Sequence, residues 1–504
     1  MRLMRSKSKN STSLYVIESM YNNGVRTTRI VEKLGTVAEL SKTHEDPIAW
    51  ANKYIEELNL KEKELKRDVI VKYKQSKLIE RNNQTSCNGG YLFLQKLYHQ
   101  LGLHKICKEI SHRYKFTFNL DSILSRLVYG RILFPSSKLN TYQESKNLLE
   151  QPDFKLQHVY RALEVIAKET EFIQSELYKN SLSVSKRNDC ILYYDCTNYF
   201  FEIEQEDGIR QFGFSKEHKP NPIVEMGLFM DGDGIPLAFS IHSGNTNEQT
   251  TLRPLEEKII EDFELSKFIV CTDAGLSSMD NRKFNDKKDR AFITTQSVKK
   301  LKKHLKQWAL DPTGWHLAGS SNTYDIRLID KDENFYEKHK DLTFYKERWI
   351  KENGLEQKLI ITYSIKYRDY QRQVRNRQLE RATKLIENRP SDLNKKNQND
   401  YKRFISSTNV TKDGEVANKP VCRINDKAIA DEEMYDGFYA VCTNLDDDAV
   451  AITKINHRRW EIEECFRIMK SEFKARPVYL SRDDRIKAHF MTCFLALTIQ
   501  NVFA

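Results

Sequence analysis

The chain has 504 residues, 39% of them hydrophobic, and a formal charge of +11. That length exceeds what one core organises and predicts several domains; no uninterrupted apolar run reaches the roughly 18–20 residues of a membrane span. Nine scattered cysteines without CxxC or Cys/His zinc spacing read as reduced thiols of a cytosolic protein, and the positive balance favours a polyanionic partner.

Residues 12–35 predict a β-hairpin, with strands Ser13–Met20 and Val25–Val31 about Asn22-Asn23-Gly24, a turn sequence suited to positive φ. A helix is expected after Asp46, with Pro47 in its first turn, and Lys61–Lys77 reads as a charged connector. From Gly89 to Lys186 apolar residues recur three or four apart and predict helices. Breaks are expected at Phe134-Pro135-Ser136-Ser137 and Gln151-Pro152-Asp153.

Residues 190–297 change character. Strands are predicted at Ile191–Asp195, Pro222–Met230, Ile235–Ile241, Phe268–Asp273 and Ala291–Gln296, and helices at Asn247–Phe263 and Asn281–Lys288. Asp231-Gly232-Asp233-Gly234 reads as a hairpin turn, since it lacks the other ligands of a calcium loop. An antiparallel hairpin beside the first strand, then a helical crossover to a parallel strand, sets the ends of the two Asp-bearing strands at one sheet edge.

Residues 298–436 are polar and mixed. Strands are expected at Tyr324–Ile329 and Lys358–Tyr363, then a basic helix Arg368–Glu387 and an exposed Asn/Lys-rich loop Arg389–Asn399. Arg368, Arg372, Arg375, Arg377 and Arg381 either track phosphates or make a solvated charged face. Trp308 and Trp315 either stack on an unpaired base or pack in a core. Gly437–Thr443 reads as a return strand, Asp448–Phe473 as one helix, and Asp483–Val502 as a final apolar helix after Arg476-Pro477.

Three carboxylates carry the chemistry. Asp195 and Asp273 each end a short apolar run, where a carboxylate is costly unless solvated or paired with a cation. Two such strands side by side, with a helix delivering Glu463, would form a hard oxygen site suited to Mg²⁺ or Mn²⁺. Asn456, Arg459, Glu463, Arg467 and Lys470 recur at helical spacing and share one face. The same spacing also suits a solvated face with Arg459–Glu463 and Glu463–Arg467 pairs. Lys216 and His218 follow Gly213 and can approach the site from the loop after the first strand.

These residues resemble the DDE transposases of bacterial insertion sequences, of the insertion-sequence-four superfamily. Arg459-x3-Glu463-x6-Lys470 matches the Arg, Glu and Lys of that group's signature, whose Tyr is Asn456 here. Asp195-Cys196-Thr197-Asn198-Tyr199-Phe200, Gly213-Phe214-Ser215-Lys216, Gly244-Asn245-Thr246 and Thr272-Asp273-Ala274-Gly275 support it.

The resemblance implies an α/β fold. A ribonuclease H-like mixed-sheet catalytic core (189–297 and 437–504) would be interrupted by a mixed, partly β insertion domain (298–436). An N-terminal β-hairpin and helix region (1–80) and a helical DNA-binding region (81–188) would precede it. It further implies Asp195, Asp273 and Glu463 as catalytic ligands of two Mg²⁺ ions, with Mn²⁺ as substitute. Asn456, Arg459, Arg467, Lys470 and Lys216 would contact DNA. The implied activity is cleavage and strand transfer at terminal inverted repeats and target DNA, by a homodimer on the DNA, in the bacterial cytosol and without a membrane. A catalytically inactive DNA-binding derivative and a general metal-dependent nuclease are the alternatives.

Overall fold

The computed structural model describes residues 1–7, 11–22, 25–44, 46–65, 87–287, 289–388, 400–410 and 416–503. The chain divides into two compact units, Met1–Ser185 with Asp484–Ala504, and Lys186–Asp483.

In the first unit, strands β1 (Arg2–Lys7), β2 (Thr12–Asn22) and β3 (Val25–Thr36) form an antiparallel sheet in that order. The β2–β3 hairpin is the expected one, extended at both ends and joined by the unexpected β1; its turn residues Asn23 and Gly24 lie outside the described residues. Thr36 starts a short helix through a capping box with Glu39, which satisfies two otherwise orphaned backbone donors. Asp46 caps the Pro47–Leu65 helix by accepting from the Ile48 and Ala49 amides at 2.9 and 3.0 Å. The remainder of the Lys61–Lys77 connector lies outside the described residues.

Helices then run at Tyr91–Gln100, Leu103–Arg113, Leu120–Leu133, Lys138–Ser145, Leu156–Lys168 and Thr170–Ser181. Both expected breaks separate helices. Ser137 caps the helix after the first by accepting from the Asn140 amide. Leu120–Leu133 is buried almost all round and is the core helix of this unit. The Asp483–Phe503 helix is long and apolar enough to cross a membrane, but 72% of its apolar window is buried inside the protein, as in a core helix.

The second unit is built on a nine-stranded mixed sheet. Its strands are β4 (Ile191–Phe200), β5 (Ile223–Asp231), β6 (Pro236–Ser243), β7 (Phe268–Thr272), β8 (Arg290–Gln296), β9 (His316–Leu317), β10 (Thr343–Glu352) and β11 (Leu355–Ser364). A separate two-stranded ribbon, β12 (Ile405–Val410) and β13 (Val416–Ile424), precedes the ninth strand, β14 (Phe438–Thr443). The order is β6-β5-β4-β7-β8-β14-β11-β10-β9.

β4, β5 and β6 pair antiparallel, and β4, β7 and β8 pair parallel, with the Leu252–Asp262 helix between β6 and β7. This is the order read from residues 190–297. Asp231 shows why the hairpin turns where it does. Its carboxylate accepts from the Asp233 and Ile235 amides at 3.0 and 2.9 Å and from buried Arg187 at 2.6 Å.

Three expectations are corrected. Tyr324–Ile329 is not a strand; Asp325 caps a 3₁₀ turn over Ile326–Asp330. β10 was not expected, and it pairs along its whole length with β11. The single helix Asp448–Phe473 is three pieces, Ala449–His457, Trp460–Arg467 and a π turn Ile468–Glu472. Through β14 the sheet continues into β11, β10 and β9. Trp315 is buried there with Phe344 and Tyr363, and its indole donates to Asp311 O at 2.9 Å. The Arg389–Asn399 loop lies outside the described residues.

Candidate active site

Side chains alternate along β4, so Tyr193, Asp195, Thr197 and Tyr199 leave one face. Three of them meet the late helical segment. The Tyr193 hydroxyl donates to Ile455 O at 3.0 Å, Lys470 donates to the Thr197 hydroxyl at 2.7 Å, and the Tyr199 hydroxyl lies 3.9 Å from Met469 Sδ. Asp195 stands between them on the same face.

The neighbouring strand brings the second carboxylate. β4 and β7 pair in parallel register, Tyr193 opposite Cys271. Beyond the last paired rung, Asp195 lies within β4 and Asp273 directly follows β7, close enough for its charge to be felt at Asp195. Asp273 is fixed by its own turn, its Oδ1 accepting from the Gly275 and Leu276 amides at 2.9 and 3.0 Å. Burial pushes the Asp195 carboxyl up to about 6, Asp273 adds to that, and Lys216 and Arg459 pull against it.

Glu463 is placed differently. It lies on the Trp460–Arg467 helix, its side chain is 60% exposed, and Arg459 pairs with it at 3.4 Å. Among the described residues no three His, Cys, Asp or Glu side chains gather closely enough to hold a metal ion. The structure therefore brings Asp195 and Asp273 together and leaves Glu463 beside Arg459. Arg459 links the two groups, since its charge is also felt at Asp195.

Lys216 reaches Asp195 from the loop after β4. Gly213 and Gly244 make this possible by packing backbone on backbone: a Cβ at Gly213 would lie 1.9 Å from Gly244 O. The Lys216 ammonium then donates to Cys196 O at 2.6 Å and pairs with Glu248 at 2.9 Å. Burial alone would lower its pKa, but Asp195 and Glu248 outweigh that and raise it. Lys470, besides Thr197, pairs with Glu217 at 3.4 Å, and Arg476 pairs with the same carboxylate.

A family model described as a transposase DDE domain matches residues 204–499, more than half of the chain. The chain belongs to the DDE transposase family. Of the three carboxylates, Asp273 and Glu463 fall within the matched segment and Asp195 lies just before it. A cryo-EM structure of a piggyBac transposase synaptic complex with hairpin DNA is similar at 8% identity, with a TM-score of 0.37, over 84% of this chain and 77% of that one. No curated protein matches the chain.

In this transposase the remaining expected contacts divide. Arg467 is exposed and paired with Glu464 and Glu472. Asn456 is buried, and its amide donates to the Tyr439 hydroxyl at 2.8 Å while its oxygen accepts from the Cys271 thiol at 3.6 Å. Its position runs against the expected DNA contact, because the amide is already committed inside the protein. His218 adopts a positive φ of 56° in the Lys216 loop. Arg368 and Arg375 of the basic helix are buried in ion pairs, Arg368 with Asp330 at 2.9 Å and Arg375 with Asp436 at 2.6 Å.

Sequence reasoning missed Thr197, Glu217, Glu225 and Glu248. Only Glu225 carried a readable signal, a lone charge in the apolar run Ile223-Val224-Glu225-Met226.

Proposed function

We propose that this DDE transposase belongs to the insertion-sequence-four superfamily of bacterial elements and binds the inverted-repeat ends of its own element, cleaving and joining DNA there. The observation that supports the reading is the parallel pairing of β4 with β7, which puts Asp195, within β4, and Asp273, just past β7, on neighbouring segments of the sheet. Two neighbouring carboxylates, one of them destabilised as an anion chiefly by burial and further by the other, suit a divalent cation, since hard oxygen donors are what Mg²⁺ or Mn²⁺ takes.

Asp195 and Asp273 would hold such ions, with Glu463 as third ligand. The Arg459–Glu463 pair is exposed and worth only tenths of a kcal/mol, so it presents little resistance to that change. Bound there, the metal would supply activation of water and stabilisation of charge on the phosphoryl group.

The protein's own cations do the rest. Lys216 and Arg459, whose charges act on Asp195, and Lys470, bonded to Thr197 on the same face of β4, would orient the scissile phosphate and offset its charge. Arg467, exposed on the same helix, would contact the DNA backbone further out. The helical region 81–188 would read the ends, the segment 298–436 would shape the site, and two copies would pair the ends as a homodimer. The work would take place in the cytosol, on double-stranded DNA, for which the charge of +11 is suited.

A second reading, a family member that binds ends without cutting them, is favoured by the position of Glu463. Labelled inverted-repeat DNA, incubated with the protein and Mn²⁺, separates the two. The proposed enzyme nicks the end, chelation stops it, and Asp195→Asn, Asp273→Asn and Glu463→Gln each lose cleavage while retaining binding. A wild-type protein that shifts the fragment without nicking it is the binder; equal cleavage of unrelated DNA indicates a general nuclease.

A further inference from the structure

Glu225 lies in β5, a strand buried at every position, and is itself 3% exposed. A carboxyl there is tolerated only if its oxygens are satisfied. Yet Oε2 has no hydrogen-bond partner. Oε1 accepts from Asn198 Nδ2 at 3.3 Å, a long bond, and the same amide group makes a shorter one, 2.9 Å, to Phe214 O. The fold gains little from this side chain.

Its surroundings explain it better. Asn198 stands opposite Glu225 on β4 and His242 opposite it on β6. Glu248 comes from the 3₁₀ turn after β6, Lys216 from the loop after β4, and Lys470 from the π turn. His242 is bonded to Ser240 at 2.7 Å. The two ammonium groups repel each other; Lys216 donates to Cys196 O and pairs with Glu248, Lys470 donates to the Thr197 hydroxyl and pairs with Glu217, and neither bonds Oε2.

We propose that Glu225 is a further counter-charge, beside Glu248 and Glu217, for Lys216 and Lys470, which a DNA phosphate displaces, so that DNA binding takes up a proton at this carboxyl. The inference rests on the reading of Lys216 and Lys470 as phosphate contacts. The balance is simple: the phosphate brings negative charge to the two ammonium groups, a proton from solvent forms an O–H bond at Oε2, and no bond in the DNA changes. Burial and Glu248 push the Glu225 carboxyl up to about 8, while Asn198 and the two lysines pull the other way. A small change in nearby charge around pH 8 therefore shifts its protonation.

The test is binding without metal, in EDTA, by wild type and Glu225→Gln, on both an inverted-repeat duplex and an unrelated one. The variant mimics the protonated form. At pH 6.5 the two proteins should bind within about twofold of each other. At pH 9 the variant should bind about fivefold more tightly. Lys470 loses its own proton in the same range, so the difference between the proteins, not the slope of either, is the readout.

Calorimetry at pH 8 in two buffers of different ionisation enthalpy gives the proton uptake directly. Wild type should take up a larger fraction of a proton per duplex bound than Glu225→Gln. Equal affinities at pH 9 together with equal uptake overturn the proposal. Absence of any preference for the repeat counts against the reading of the preceding section, and the difference on the unrelated duplex still reports on Glu225.

Discussion

Lys470 donates to the Thr197 hydroxyl at 2.7 Å, and that bond ties the segment carrying Glu463 to the strand carrying Asp195. Thr197→Val keeps the shape and removes the acceptor, leaving the ammonium with Glu217 and the Tyr199 ring. Stability should change by only about 1 kcal/mol. End cleavage should fall roughly tenfold, the scale of 1.4 kcal/mol in the transition state. Single-turnover cleavage beside a thermal melt checks this; full activity would mean the bond does not position Lys470.

The glycine pair behind Lys216 gives a steric prediction. A Cβ at Gly244 would lie 2.2 Å from Ile223 O and 2.3 Å from Gln211 O, both rigid backbone. Gly244→Ala must therefore displace the loop, at a cost of about 1–3 kcal/mol, and should carry Lys216 away from Asp195. Denaturant unfolding and end cleavage should both deteriorate. A variant as stable and active as wild type would show that the loop yields without cost.

A pH effect on stability is expected from Glu256. It is buried on the Leu252–Asp262 helix, and burial pushes its carboxyl up to about 7, against the pull of Asn285 and Arg290. A raised carboxyl binds its proton more tightly in the folded state. Its contribution is thus fully present below the unfolded value of 4.5 and is lost as pH rises through about 7. Glu256 Oε1 and Asn285 Oδ1 are both unpartnered acceptors, and a Gln amide can donate where the carboxylate cannot. Glu256→Gln should match wild type near pH 4.5 and exceed it at pH 8 by on the order of 1–3 kcal/mol. Parallel melting curves at both pH values would contradict this.

The basic helix Ile365–Asn388 separates structural from available arginines. Arg375 is buried against Asp436, so Arg375→Ala leaves that carboxylate buried with a weakened partner set and should cost about 3–5 kcal/mol. Arg377 and Arg381 are exposed. Their replacement by Ala should leave stability unchanged within about 0.5 kcal/mol and, if this face meets DNA, flatten the salt dependence of binding. An unchanged salt slope would remove the helix from the DNA path.

The first half of the second unit was legible because its strands carry local signals. β7 is an apolar run followed by Asp273, β4 starts as one but continues past Asp195 to Phe200, and the β5–β6 turn is written in Asp231-Gly232-Asp233-Gly234. β10 escaped notice because Lys346, Glu347, Arg348 and Lys351 lie within it; a strand with charged positions does not alternate cleanly. Tyr324–Ile329 looked β-like by composition, but Asp325 caps a tight turn and local hydrogen bonding won. The side of Glu463 was not decidable from spacing. Helical periodicity puts it beside both Arg459 and Arg467, and which pair forms depends on the strand packed beneath.

β14 is hydrogen-bonded to β8 on one flank and to β11 on the other. Residues 298–436, which supply β11, are thus woven into the sheet that supports the elements on either side of them. Shortening the protein by excising that stretch would strip one side of Phe438–Thr443 and expose a raw seam to other chains, so precipitation is the outcome to expect from a minimised version.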